Sequence, residues 1–181
     1  MPVYNFSTFD DPSATSFVGT QAFGINGSGQ IVGVYADGSG NHGFLYNPNG
    51  GTYTTLDDPL ATNGTLAAGI NASGQIVGYY ATNTGNHGFL YNPNGGTYTT
   101  IDYPLAGPTG TLPFGINDMG QIVGTYFDNA NNGHGFLETT LPNPPPPAGT
   151  TADMILRDGS DGRYEIYDIG SNAILAGDFL G

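Results

Sequence analysis

Between Ala22 and Leu137 the chain repeats one phrase three times: AFGINGSGQIVGVY…NHGFLYNPNGGTYTTLDDP, then AAGINASGQIVGYY…NHGFLYNPNGGTYTTIDYP, then PFGINDMGQIVGTY…GHGFLE. Gly24, Gly69 and Gly115 hold the same place in each copy. A period of about 45 residues falls in the range of propeller-type arrays and far from a heptad or a collagen triplet. Function is therefore to be sought in the array. The copies differ little at the positions where an active site would need one copy to be special, which argues against an enzyme.

Composition narrows the partners. Charged residues make up 9% of the 181, against about 25% in an ordinary soluble domain. The chain has no lysine, and its two basic side chains are Arg157 and Arg163. Upstream of residue 150 stand Asp10, Asp11, Asp37, Asp57, Asp58, Asp102, Asp118, Asp128 and Glu138, with no fixed positive charge beside them. Such a surface repels phosphate, because nucleic-acid affinity needs Lys and Arg to displace counterions. Nucleic acid and anionic membrane are thus poor candidates as partners. A Walker-type loop and a Schiff base both need a lysine. With zero cysteine, disulfides, thiolate catalysis and Cys-ligated zinc fall away as well. No run approaches the ~18 apolar residues of a membrane span, and MPVYNFSTFDDP has neither a basic nor an apolar leader segment. The expectation is export by an uncleaved or removed signal, to the extracellular space or the cell surface.

Each copy resolves into four extended segments, A to D. Segment A covers 22–26, 67–71 and 113–117, and ends in an Asn followed three residues later by a Gly, the chemistry of a tight turn with the Gly at positive φ. Segment B is QIVGVY, QIVGYY or QIVGTY; alternation puts Ile31, Gly33 and Tyr35 on one face, and the central Gly admits a neighbouring backbone or ring. Segment C begins at His42, His87 and His134. The turns NPNG then lead to segment D at 52–56 and 97–101. Nothing here has helical period.

The N-terminus NFSTFDDP aligns with TYTTLDDP at 52–59, an extra D segment without its own A, B and C, whereas the third copy has no D. The expectation is that residues 4–10, including Tyr4, Phe6 and Phe9, pair with the third C segment, within the chain or between chains, and so close the last repeat. A Pro-rich linker, 143–150, leads to a small β-appendage, 151–181, with three more extended segments. About thirty residues cannot bury a core of their own, so the appendage should dock through its apolar row, which includes Ile166 and Phe179, and through Arg157 and Arg163.

The pattern GIN-x-x-GQIVG-x-Y followed by HGFLY, over roughly residues 3–142, resembles the HAF family of bacterial extracellular repeat proteins. The resemblance implies secretion, blade-like β-repeats and no established catalysis. The tail looks like segments that accompany secreted bacterial repeat proteins, which again implies no chemistry.

Two metal readings are open. His42, His87 and His134 share one repeat position, and three converging imidazoles can bind zinc. Each shares a strand face with aromatic side chains, however, so a ring bonded to a carbonyl or an Asp is the simpler account. The loops holding Asp37 and Asn41, and Asp128 and Asn132, offer oxygens of the kind that bind calcium. The middle copy has no carboxylate there and neither loop has a bidentate Glu, so solvated turns explain them. No cofactor is required. The adjacent pairs Asp10-Asp11 and Asp57-Asp58 end strands rather than form a glycosidase pair.

The chain is thus expected to be all-β: three four-stranded repeats as propeller-like blades with a β-appendage, the alternative being a threefold β-trefoil or prism-like arrangement. Its expected role is that of a secreted, non-catalytic structural protein that forms a homo-oligomer or polymer. The alternative is a carbohydrate-binding module for polysaccharide, built on exposed Tyr and Asn.

Overall fold

The computed structural model describes residues 1–139 and, beyond them, three strands of the C-terminal part. The chain divides into two compact units, Met1–Thr139 and Thr140–Gly181, and the 143–150 linker lies outside the described residues. Every regular element among the described residues is a β-strand. Repeat 1 is the antiparallel sheet β1 (Thr20–Ile25), β2 (Ile31–Ala36), β3 (Asn41–Asn47) and β4 (Thr52–Leu56). Repeat 2 is β5 (Thr65–Ile70), β6 (Ile76–Thr82), β7 (Gly85–Asn92) and β8 (Thr97–Ile101). Repeat 3 has three strands, β9 (Thr111–Ile116), β10 (Ile122–Phe127) and β11 (Gly133–Glu138). The second unit is a separate antiparallel sheet of β12 (Asp153–Arg157), β13 (Tyr164–Asp168) and β14 (Ala173–Ala176).

Local chemistry builds each sheet. At the first hairpin Asn26 accepts the Ser28 and Gln30 N–H groups on its side-chain oxygen, and Gly29 turns the chain at φ 76°. Gly74 and Gly120 repeat that turn at 78° and 79°, a backbone conformation that costs glycine nothing. In every repeat the first strand carries one extra residue, Phe23, Ala68 or Phe114, where the register shifts. Such a bulge bends the strand. The carbonyl two residues before it faces the B-strand glycine, so a side chain on Gly33 would run into the Gln21 carbonyl and the Phe44 ring, and one on Gly78 into the Leu66 carbonyl and Ala67 Cα.

The sheets stack in chain order. Strands β1, β2 and β3 lie against β5, and β5, β6 and β7 against β9. Backbones come very close: a methyl on Gly24 would sit 2.7 Å from the Ala68 carbonyl oxygen, and one on Gly69 would sit 2.9 Å from that of Phe114. Between repeats 1 and 2 this seals a core of Val32, Leu56, Ala67, Ile70, Ile76, Tyr80 and Phe89. Each fully buried aliphatic side chain of this kind contributes about 1.5–3 kcal/mol.

Closure into a propeller ring, or into the trefoil- or prism-like alternative, would cover both end faces of this stack. Both are open. Val32 and Val77 are 0% exposed, but their counterpart Val123 is 50% exposed; Ile70 is 7% exposed, but its counterpart Ile25 is 67%.

The expected N-terminal strand is also not made within the chain. Residues 1–11 form no strand, and β11 has no fourth-strand partner among the described residues. The reason is positional. The turn after the segment is anchored to repeat 1: the Asp11 N–H donates to the Thr20 hydroxyl at 2.8 Å, and the Thr15 and Ser16 N–H groups donate to the Ala36 carbonyl. Repeat 2 lies between that anchor and repeat 3 in the stacking order, so the segment leaves the chain at the repeat whose C strand already has a partner in β4.

Gly78→Val should therefore lower stability by about 1–3 kcal/mol through overpacking, read as the urea midpoint in dilute solution. Gly135→Ala, where nothing lies within 4 Å of the added carbon, should stay within about 0.5 kcal/mol of the parent.

Candidate functional site

The three histidines occupy equivalent places at the starts of the C strands, each stacked on the B-strand tyrosine beside it. Ring centroids are 5.1 Å apart for Tyr35 and His42, 5.2 Å for Tyr80 and His87, and 5.0 Å for Tyr126 and His134. In repeats 1 and 2 the Asp that ends the D strand holds Nδ1: Asp57 at 2.8 Å from His42, and Asp102 at 2.7 Å from His87. Repeat 3 has no D strand among the described residues, and His134 instead meets Asp128 through Nε2 at 3.2 Å. The imidazoles do not converge. No group of three or more His, Cys, Asp or Glu side chains able to hold a metal is present among the described residues.

The two loops considered for calcium spend their oxygens on their own turns. Asp37 Oδ1 accepts the Ser39 N–H at 2.6 Å and the Ser39 hydroxyl at 2.7 Å. Those bonds, with the Gly40 N–H and His42 nearby, hold its carboxyl down at about 2. Asp128 accepts the Asn132 N–H and the Ala130 N–H, both at 2.8 Å, and the Asn132 amide at 3.1 Å. Its carboxyl is likewise held at about 2, by Asn132 first and then His134. The Asn132 amide turns its N–H toward the carboxylate. Asn41 lies on β3, where its carbonyl faces Gly64 of the next repeat.

Seven residues expected to serve assembly lie near the N-terminus and in the second unit. Tyr4 and Phe6 are exposed, and Phe9 stacks on Tyr46 of repeat 1 with centroids 5.2 Å apart and planes 5° from parallel. Arg157 stands on β12 opposite Tyr164, and Ile166 on β13 opposite Ile155. Arg163 and Phe179 lie outside the described residues.

Two features escaped the reading of the sequence. The first is a ladder between repeats: Asn26 Nδ2 donates to the Asn71 carbonyl and Asn71 Nδ2 to the Asn117 carbonyl, both at 3.1 Å. The same amides also reach the Gln two residues past the turn glycine's predecessor, Gln30, Gln75 and Gln121, at 2.7–2.9 Å. The sequence carries a signal for it, since Asn and Gln recur four residues apart in all three copies, but turn chemistry alone already accounts for the Asn. The second is a surface hollow of about 330 Å³ lined by Phe23, Leu66, Ala68, Tyr79 and Phe114. It forms because the three bulge positions line up across the stack and the middle one is small. Beside it, on the other side of Tyr79, a second hollow of about 350 Å³ is edged by amides of Gln21, Asn41, Asn63 and Asn86.

In chemical terms, the described unit offers apolar and amide surfaces, carboxylates tied into turns, and paired histidines. Compared with protein families and with characterised proteins, the chain matches no family and finds no characterised relative.

The His42 site gives a pH prediction. Burial would push the imidazole down, but Asp57 and Asp37 on its two ring nitrogens outweigh that, and its value rises above 6.5. A raised value means that the protonated ring stabilises the fold. That contribution is complete below 6.5 and fades as pH climbs past the folded value. The stability gap between the parent and His42→Gln should be widest near pH ~5.5 and shrink by pH ~8.5, as read by urea unfolding at each pH. A gap that widens with pH would contradict the assignment.

Proposed function

We propose that this protein is a non-catalytic structural repeat protein that self-associates at or outside the bacterial cell surface. One observation carries the reading. The faces buried between repeats recur, uncovered, at the two ends of the stack: Ala22, Phe23 and Ile25 at the first repeat, Val123 and Leu137 at the third. Exposed apolar area that matches an interface already used inside the molecule is the mark of an association surface. The extracellular setting rests on the HAF-type repeat pattern and on the acidic, cysteine-free, lysine-free composition.

A carbohydrate-binding role is the second reading, favoured by the hollow around Tyr79. Aromatic faces at Phe23, Tyr79 and Phe114 stand next to a cluster of side-chain amides, the two materials that stack on and hydrogen-bond to sugar rings.

Sedimentation velocity over a hundredfold range of protein concentration separates the two. Self-association predicts a sedimentation coefficient that rises with concentration and falls back in Val123→Asp. A monomer at every concentration, retained on insoluble polysaccharide and released by Tyr79→Ala, would replace the structural reading with the second one.

A further inference from the structure

Among the described residues the third repeat lacks one strand, and residues 1–11 carry one strand's worth of sequence without a place in a sheet. We infer that residues 5–10 of one molecule form the missing fourth strand of repeat 3 in a second copy, joining molecules head to tail. The inference rests on the self-association reading above and specifies its geometry.

Residue equivalence makes the fit concrete. Repeat 1 pairs Gly43 with Leu56, Phe44 with Thr55, Leu45 with Thr54 and Tyr46 with Tyr53; repeat 2 pairs Gly88 with Ile101, Phe89 with Thr100 and Leu90 with Thr99. Carried to β11, the same register sets Gly135 opposite Phe9, Phe136 opposite Thr8, Leu137 opposite Ser7 and Glu138 opposite Phe6 of the second copy.

Each incoming side chain then meets a group that lacks its counterpart. Leu56 is buried against the following repeat, and Phe9 is the apolar residue in its place. The hydroxyls of Tyr35 and Tyr80 bond Thr55 and Thr100 at 3.1 and 3.2 Å; Tyr126, which pairs with Tyr103 instead, has no threonine across from it, and Thr8 supplies one. His42 and His87 are held at Nδ1 by Asp57 and Asp102; for His134 the equivalent carboxylate is that of Asp10.

The stacking faces agree with the strand. Ala67 and Pro113 sit on Gly43 and Gly88 of the preceding repeat. Their counterpart in repeat 1, Ala22, is exposed, and the counterpart glycine, Gly135, has nothing within 4 Å. The Asn ladder continues in the same sense, with the Asn117 amide facing outward to the Asn26 carbonyl of the next molecule. The turn after the segment is already built as in the later repeats, so donation exchanges the stack of Phe9 on Tyr46 for a place in a sheet. Asp11 and Asp58 each accept an N–H two residues on, and their own N–H groups donate to Thr20 and Thr65. Donation of a strand to an open sheet edge supplies main-chain hydrogen bonds for affinity and alternating side chains for register. The contact is heterologous, so it propagates.

The chain has no cysteine, which makes cross-linking clean. Ser7→Cys and Leu137→Cys, mixed and oxidised, should give a covalent heterodimer, and the double variant a ladder of multiples. A cross-linked monomer from the double variant with none from the mixture would mean closure within one chain and would overturn the proposal. Undiminished assembly without cross-linking would overturn it too, pointing to another interface, residues after 139 on β11 included, while leaving self-association standing. Absence of assembly in the parent would remove both. Gly135→Ala gives an independent check: folding and urea midpoint unchanged, higher-mass species lost. Full assembly in that variant would contradict the placement of Phe9.

Discussion

The close approach of one backbone to the next is the constraint on which the stack depends. Hydrophobic side chains alone would hold sheets about 10 Å apart. Here Gly24 meets the carbonyl of Ala68 and Gly69 that of Phe114, with no room for a methyl. The repeated bulge makes a second such contact inside each sheet, between the first strand and the B-strand glycine. Two glycines per repeat therefore set both the spacing of the sheets and the path of the innermost strand. The valines, isoleucines and Phe44 or Phe89 fill what that geometry leaves.

Polar chemistry is subordinate to this frame but fixes its direction. Each Asn side chain spends its oxygen on its own turn, and Asn26 and Asn71 each give one N–H to the next repeat. Each D-strand Asp grips the histidine across from it, and each Thr20, Thr65 or Thr111 hydroxyl accepts an N–H from the turn that precedes it. These bonds are short-range and neutral or self-compensated. They explain how a chain with 9% charged residues keeps its register without lysine or mixed ion pairs.

Much of the fold was legible because the sequence is its own alignment. The D strands begin and end where the repeats place them, at Thr52–Leu56 and Thr97–Ile101, and the turn glycines take the positive φ that their Asn neighbours imply. The first strands start two residues earlier than expected, at Thr20, Thr65 and Thr111, because a threonine that anchors the preceding turn has no signature in hydrophobic alternation. The bulge was equally invisible, since an extra residue in a strand alters pairing and not pattern. The N-terminal segment is equivalent to a D strand in sequence, but equivalence states which residues are alike and not which neighbour they meet. For the same reason His134 was grouped with His42 and His87, although the carboxylate that defines their site is missing beside it.

The open ends also set an order of local stability within one molecule. Repeat 2 is covered on both faces, so exposing Val77 or Phe89 to exchange requires either interface to part as well as the sheet's own hydrogen bonds. Repeats 1 and 3 each have one covered face. In a linear array whose stability is a sum of unit and neighbour contributions, such a molecule unravels from its ends. The amides of β6 are then its slowest to exchange and those of β11, at the uncovered edge, among its fastest.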